Sequence, residues 1–447
     1  MAKTHTNFVC QECGYDTTQW MGKCPECGIW NSLKEVRFAK DTFKGREQKS
    51  LFSTVPKKLK DIVSTEKTRI KTGYGEMDGV LGGGIVTGSV TLLAGDPGIG
   101  KSTLLLQTCL NIAKGTKGPS GTNGTGGTVL YVSGEESIEQ IKMRANRISP
   151  GEHDNLLLVS LSNTDQVPEI IQSVKPKLVI IDSVQTMESE NAGGLSGAVG
   201  QIRYAASVFV KTAKSMNIPI ILVGHVTKEG MVAGPMMLSH MVDTVLFLEG
   251  EKFTTTRILR SLKNRFGPID EVGIFAMQGE GMNEIKNAEQ LFLSEKSEGT
   301  PGSVLVVIME GTRPFLIEIQ ALVVYSKLPM PRRVAAGVDH RRLELLLAVL
   351  QKHCRLPLET MDVFVNIAGG IKVADPAADL GICLAVYSSI KNKALDKTVS
   401  IAEVGLLGEL RRVGGLDKRV REAKKLGFSN VITPETGKFL SEILKTL

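Results

Sequence analysis

The segment Gly95-Asp96-Pro97-Gly98-Ile99-Gly100-Lys101-Ser102 limits what this chain can fold into more than any other stretch. It follows the apolar run Val90 to Ala94 and opens a helix-patterned run from Thr103 to Ile112. A glycine-rich turn between strand and helix, in the spacing G-x-x-x-x-G-K-[ST], wraps backbone N–H groups around phosphates. The helix N-terminus adds a favourable dipole, Lys101 reaches the β- and γ-phosphates, and Ser102 is placed to ligate Mg2+. Gly95 through Thr103 are therefore the expected residues for ATP and Mg2+.

Short β-branched runs recur at Val129 to Val132, Leu178 to Ile181, Ile220 to Val223 and Val245 to Leu248, separated by helix-sized intervals. That pattern indicates buried parallel strands in an α/β sheet. Asp182 ends the Leu178 run, at the carboxyl edge where such sheets bind ligands. It is the Walker B candidate for holding Mg2+, with plain helix capping as the alternative. Ser133-Gly134-Glu135-Glu136 emerges at the same edge, where an attacking water must be polarised. Glu135 is the expected catalytic base and Glu136 its reserve, unless both only start the next helix favourably. His225 closes a further run and is either a γ-phosphate sensor or an ordinary polar loop residue.

Cys10, Cys13, Cys24 and Cys27 form two Cys-x2-Cys pairs in a short polar segment. Two thiolate pairs on two knuckles close a tetrahedron around one ion, with zinc favoured over iron. Gly14 and Gly28 follow the second cysteine of each pair, where a knuckle turns tightly. Trp20 and Trp30 either pack this small core, the favoured reading, or stack on bases beside Lys23 and Lys34. A lysine-rich stretch follows, and Gly115 to Gly127 reads as a flexible surface loop without chemistry.

The chain of 447 residues has room for two to four domains, at about 150 residues each. With 42% hydrophobic and 23% charged residues, disordered and fibrous classes are excluded. Lys and Arg number 54 against 47 Asp and Glu, an excess that permits an anionic partner without demanding one. Neither a signal-peptide core nor an apolar run of about 18 residues is present, so the expected location is cytoplasmic, away from membranes. Such a reducing compartment argues against structural disulfides. Charge and turn residues between Gln278 and Gly302 mark a further boundary. Beyond it, strands at Ser303 to Met309 and Phe315 to Val324 and helices at Arg341 to His353 and Asp417 to Leu426 indicate an α+β domain.

The cysteine pairs, the P-loop and the pentapeptide Lys263-Asn264-Arg265-Phe266-Gly267 occur in an order that resembles the bacterial RadA (Sms) family over essentially the full length. The resemblance implies a zinc finger at 1–35, a basic linker at 36–70, a RecA-like ATPase at 71–280 and a Lon-protease-like domain at 281–447. It also implies a hexameric ring that hydrolyses ATP while moving on single-stranded and branched DNA, promoting branch migration beside the RecA recombinase. The C-terminal part resembles the Lon peptidase, whose serine and lysine positions here read Ala377 and Asp417. A methyl group cannot attack a carbonyl, and a carboxylate cannot replace the activating lysine, so the domain is expected to be a scaffold. Its clusters Arg332, Arg333, Arg341, Arg342, Arg411, Arg412, Lys418, Arg419, Arg421, Lys424 and Lys425 either line a DNA path or are solvated.

In an extended segment, residues two apart project to one side, so Lys263 and Arg265 can address one target. Since Lys101 already serves the chain's own phosphates, the pair is expected to reach a neighbour's γ-phosphate, with DNA contact or plain solvation as alternatives. Two rival classes are a peptidase-linked protein remodeller, opposed by Ala377 and Asp417, and a non-hydrolysing clock-type adaptor, which needs neither the cysteine module nor Lys263 to Gly267.

Overall fold

In the computed structural model the apolar runs of the chain's middle come together as one sheet. Residues 6–10, 16–25, 28–37, 69–115, 126–225, 238–250, 255–285, 299–368, 372–395 and 397–447 are described. Linker residues 38–68 and loop residues 116–125 lie outside them. The chain divides into two compact units, Met1–Glu284 and Ile285–Leu447.

The cysteine-bearing segment forms β1 (Thr6–Cys10), β2 (Asp16–Thr17) and β3 (Leu33–Arg37), paired in the order β2-β1-β3. After it come α1 (Gly75–Val80), β4 (Val90–Gly95), α2 (Lys101–Lys114), β5 (Val129–Ser133), α3 (Ile138–Ile148), β6 (Leu156–Ser160), α4 (Val167–Val174), β7 (Leu178–Asp182), α5 (Val199–Met216) and β8 (Ile220–His225). β9 (Thr244–Glu249), β10 (Thr256–Asn264), β11 (Val272–Gln278) and β12 (Gly281–Glu284) complete the set. The strand order is β12-β11-β10-β9-β4-β8-β7-β5-β6, parallel from β9 through β6 and antiparallel from β9 to β12.

Alternation along each strand splits the core in two. Leu93, Val129, Tyr131 and Ile180 pack with Leu104, Leu105 and Ile141. Leu92, Leu130, Val132 and Ile181 pack with Ile171, Ile202 and Phe209. A sheet covered on both faces has continuous apolar strands, which is why β4, β5 and β7 are buried throughout. α3 starts at a capping box, where Ser137 and Gln140 satisfy each other's backbone amides. The α/β class expected from the sequence is the observed one.

The second unit contains β13 (Ser303–Glu310), β14 (Arg313–Tyr325), β15 (Arg333–Ala336), β16 (Met361–Ile367), β17 (Thr398–Ser400) and β18 (Asn430–Ile432), which form a six-stranded sheet in the order β15-β16-β14-β13-β17-β18. The helix Asp379–Lys391 is apolar on nearly every side and buried against β13 and β14. Arg419 is not on a solvated basic face: it is buried, donating to Asp375 at 2.6 Å, to the Val307 carbonyl at 2.8 Å and to the Gly414 carbonyl at 2.9 Å. Burial removes it from any DNA path.

Breaking a buried pair strands the remaining charge, so Arg419→Met is expected to cost about 3 kcal/mol, and adding Asp375→Asn to return part of that. Thermal unfolding checks this; a midpoint unmoved by Arg419→Met would show that the pair contributes nothing.

Candidate nucleotide site and metal centre

β4 delivers Gly95 to the start of the phosphate turn, where a Cβ would lie 2.3 Å from the Leu248 carbonyl oxygen. Only glycine fits there. At Gly100 the backbone is left-handed, with φ 110°, and caps α2. Lys101, 3% exposed, donates to the carbonyls of Gly95 at 2.8 Å and Asp96 at 2.9 Å, and to Nδ1 of His225 at 3.1 Å. Burial lowers its pKa, opposed by the charges of Asp182, Asp96 and Glu135.

Asp182 ends β7 beside Ser133 of β5. Burial raises its carboxyl pKa, while hydrogen bonds from Tyr131 and Ser102 pull the other way. A serine hydroxyl and a buried carboxylate form an all-oxygen donor pair, which suits a hard cation such as Mg2+. Ser102 and Asp182 would hold that ion, which supplies charge neutralisation for the phosphates when bound.

The two acidic neighbours differ. Glu135 lies 3.5 Å from Nε2 of His225 and accepts a hydrogen bond from the Ser183 hydroxyl. The His225 hydrogen bond is the largest influence and holds the Glu135 carboxyl below its ordinary pKa, with burial opposing it. Glu136 is turned to α3, paired with Arg144. The geometry thus brings Lys101, Ser102, Asp182, Glu135 and His225 together at one sheet edge and leaves Glu136 outside the cluster.

Sequence reasoning missed Tyr131, Ser183, Gln185 and Arg257. Gln185 accepts from the His225 amide at 3.0 Å and donates to its carbonyl at 2.9 Å. Arg257, from β10, donates to the Ile99 carbonyl of the phosphate turn at 3.1 Å. The one available sign was a tyrosine hydroxyl on an otherwise apolar strand, which needs a buried partner.

Lys263 to Gly267 occupies the other edge of the sheet. β9 runs parallel to β4 with Thr91 opposite Thr244 and Gly95 opposite Leu248, while Asn264 of β10 faces Thr244. The pentapeptide therefore sits by the beginnings of the strands whose ends carry the phosphate turn. Lys263 donates to the carbonyls of Ser239 at 2.6 Å and Val242 at 2.9 Å, and Arg265 contacts Asp243 at 3.2 Å. Both cations address one turn of their own chain, although the Arg265 side chain remains 52% exposed. Asn264 accepts from the Phe266 amide at 2.9 Å, and a Cβ on Gly267 would lie 2.9 Å from the Gly82 Cα.

In the N-terminal module Cys10 and Cys24 are each 1% exposed. Gly28, with φ 73°, donates its amide to the Cys24 carbonyl at 2.9 Å, forming a tight knuckle. Cys13, Gly14 and Cys27 lie outside the described residues. Buried soft thiols on such a turn suit zinc. The preferred packing role for the tryptophans is not observed, since Trp20 is 57% and Trp30 69% exposed while Phe8, Met21 and Leu33 fill the core.

In the C-terminal unit Ala377 is buried in the turn Pro376–Ala378, and the exposed carboxylate of Asp417 meets Arg412 at 3.1 Å. Arg332 pairs with Asp362, Arg342 with Asp379 and Arg411 with Glu409. Arg341, Lys418 and Lys424 form no ion pair among the described residues.

Three family models match: a rubredoxin metal binding domain at 8–35, an AAA domain at 57–231 and subunit ChlI of Mg-chelatase at 339–437. Along its length the chain is similar to DNA repair protein RadA of Bacillus subtilis (strain 168), with 45% identity covering 97% of this chain and 93% of the relative. It is likewise similar to the proteins of that name from Streptococcus pyogenes serotype M6, at 45% identity over 97% and 94%, and Listeria monocytogenes, at 44% over 97% and 93%.

We expect one zinc per chain, bound with energy on the order of 10 kcal/mol that is coupled to local folding. Elemental analysis of Cys10→Ser should show the metal lost, and freshly purified parent protein without metal would sink the assignment.

Proposed function

Since this chain belongs to the RadA family of DNA repair proteins, we propose that it is a DNA-dependent ATPase that drives recombination intermediates through branch migration. The observation that carries the reading is the convergence of Lys101, Asp182, Glu135 and His225, from four different strand ends, on one phosphate-binding turn. Gly95 through Thr103 hold the phosphates, Lys101 leaves its carbonyls for the β- and γ-phosphates, and Ser102 and Asp182 hold Mg2+. Glu135, kept ionised by its donors, orients and deprotonates the attacking water.

The Lys263 to Gly267 segment acts across a subunit boundary. Its position at the far edge of its own sheet removes it from its own phosphates, which supports a neighbour as its target. Arg265 is the exposed member that supplies charge; Lys263, engaged on two carbonyls, holds the turn that presents it. Family membership supports a ring of about six subunits that works in the cytoplasm on single-stranded and branched DNA beside RecA. Among the described residues no helix is long and apolar enough to cross a membrane. In this reading 1–35 is the zinc finger, 36–70 the linker, 71–280 the motor and 281–447 a scaffold without peptidase activity, since Ala377 and Asp417 supply neither nucleophile nor base.

Steady-state ATPase assays with and without single-stranded DNA test the function directly. Glu135→Gln should bind ATP normally and turn over at least about 100-fold more slowly, whereas Glu136→Gln should stay close to the parent. The reverse pattern would exchange their roles. Arg265→Ala subunits should be inactive alone yet regain part of their turnover when mixed with Lys101→Ala subunits, each supplying what the other lacks. Mixed rings with verified subunit exchange and no recovery would overturn the trans assignment.

A further inference from the structure

β8 continues to His225, three residues beyond the end of its ladder with β7. On one side it pairs with β4 as far as Gly95 opposite His225. On the other side the ladder with β7 stops at Ile181 opposite Leu222, because β7 leaves the sheet at Asp182 and turns into the 3-10 segment Val184–Thr186. His225 would thus present its amide and carbonyl to a strand that is no longer there. The Gln185 carboxamide takes the strand's place, accepting from the amide at 3.0 Å and donating to the carbonyl at 2.9 Å.

The ring fixed by this clamp lies between Lys101 and Glu135. An ammonium has only protons to offer, so at 3.1 Å from Lys101 the Nδ1 atom of His225 must accept. The ring proton is then on Nε2, which faces Glu135 at 3.5 Å. Ser183 gives Glu135 a second donor from the same turn that carries Gln185. One short segment, Ser183 to Gln185, therefore orients the base both directly and through the histidine.

We infer that Gln185 is a positioning residue for hydrolysis: its two bonds to the His225 backbone hold the imidazole where its Nε2 faces Glu135. The inference rests on the reading of Glu135 as base and His225 as part of the site. Among the described residues the Gln185 carboxamide hydrogen-bonds the His225 backbone and not the phosphate turn, so its loss acts on turnover rather than on nucleotide affinity.

The experiment is a double-mutant cycle on the full-length chain, reading kcat, KM, affinity for a fluorescent ATP analogue and the thermal midpoint. Gln185→Ala is expected to lower kcat by about ten-fold or more, with KM and affinity within about two-fold of the parent. In a His225→Ala background the same substitution should change kcat by less than about two-fold, because the ring it positions is gone. Gln185→Glu, equal in size and still able to accept from the amide, serves if Gln185→Ala does not fold and should show a smaller split of the same kind. Equal losses in kcat and affinity, or effects of Gln185→Ala and His225→Ala that multiply independently, would overturn the inference. If His225→Ala is slow but Gln185→Ala is fully active, only the positioning role fails. If His225→Ala itself is fully active, the site reading beneath it fails.

Discussion

Lys101 must be reachable by a triphosphate yet lies at the root of a strand and helix, where an ammonium without acceptors would be costly. The chain meets this with the groups that the nucleotide would replace: two carbonyls of its own turn and the ring of His225. Those contacts in turn fix the surroundings. Gly95 brings its carbonyl within reach because it lacks a Cβ, and Arg257 ties the Ile99 carbonyl of the same turn to β10. Asp182 and Glu135 lend the ammonium their field, and each is held by a hydroxyl, Tyr131 in one case and Ser183 in the other. A preorganised polar site of this kind needs little rearrangement when charge develops during phosphoryl transfer.

Sheet polarity extends the argument beyond one subunit. Parallel strands send all their carboxyl ends to one edge, so β4, β5, β7 and β8 assemble the nucleotide site, while β10, antiparallel to β9, carries Asn264 and the following Arg265 to the opposite edge beside Thr244. A cation at the wrong edge for its own phosphates is suited to a neighbour's in a head-to-tail ring, where every interface is heterologous. Asp243 holds Arg265 from below while also accepting the Val90 amide at 3.1 Å, so the turn presenting the cation is anchored to the strand that leads to the phosphate turn.

How far the site was legible depended on whether its chemistry is local in sequence. Gly95 to Ser102 declares itself because eight consecutive residues share one task, and Asp182 and Glu135 follow from strand periodicity and the polarity of parallel sheets. Gln185 could not be foreseen, because its role exists only where β7 ends before β8 does, a mismatch visible in the register alone. Tyr131 and Arg257 act across strands separated by long stretches of sequence. The tryptophans were misread for another reason: an indole is amphipathic, and hydrophobicity alone does not say whether a module of this size can enclose it. The basic residues of the second unit show the same limit for charge. Arg342 and Arg332 look available in sequence, yet Asp379 and Asp362, distant along the chain, neutralise them.

Asp375 carries this logic into the Lon-like turn. One of its oxygens accepts the Ala377 amide at 3.0 Å; the other accepts the Met309 amide at 2.7 Å and meets buried Arg419. Each of these bonds constrains the backbone that leads to residue 377, so the turn is firmly built although its side chain is a methyl group. Residue 417, by contrast, points to solvent and pairs with Arg412. A catalytic dyad needs both members buried against one another and a base relieved of its charge. Here one position is buried without a nucleophile and the other is charged without burial, while Asp375 and Arg419 tie the turn into the packing by joining β13 to the helix Leu416–Lys425.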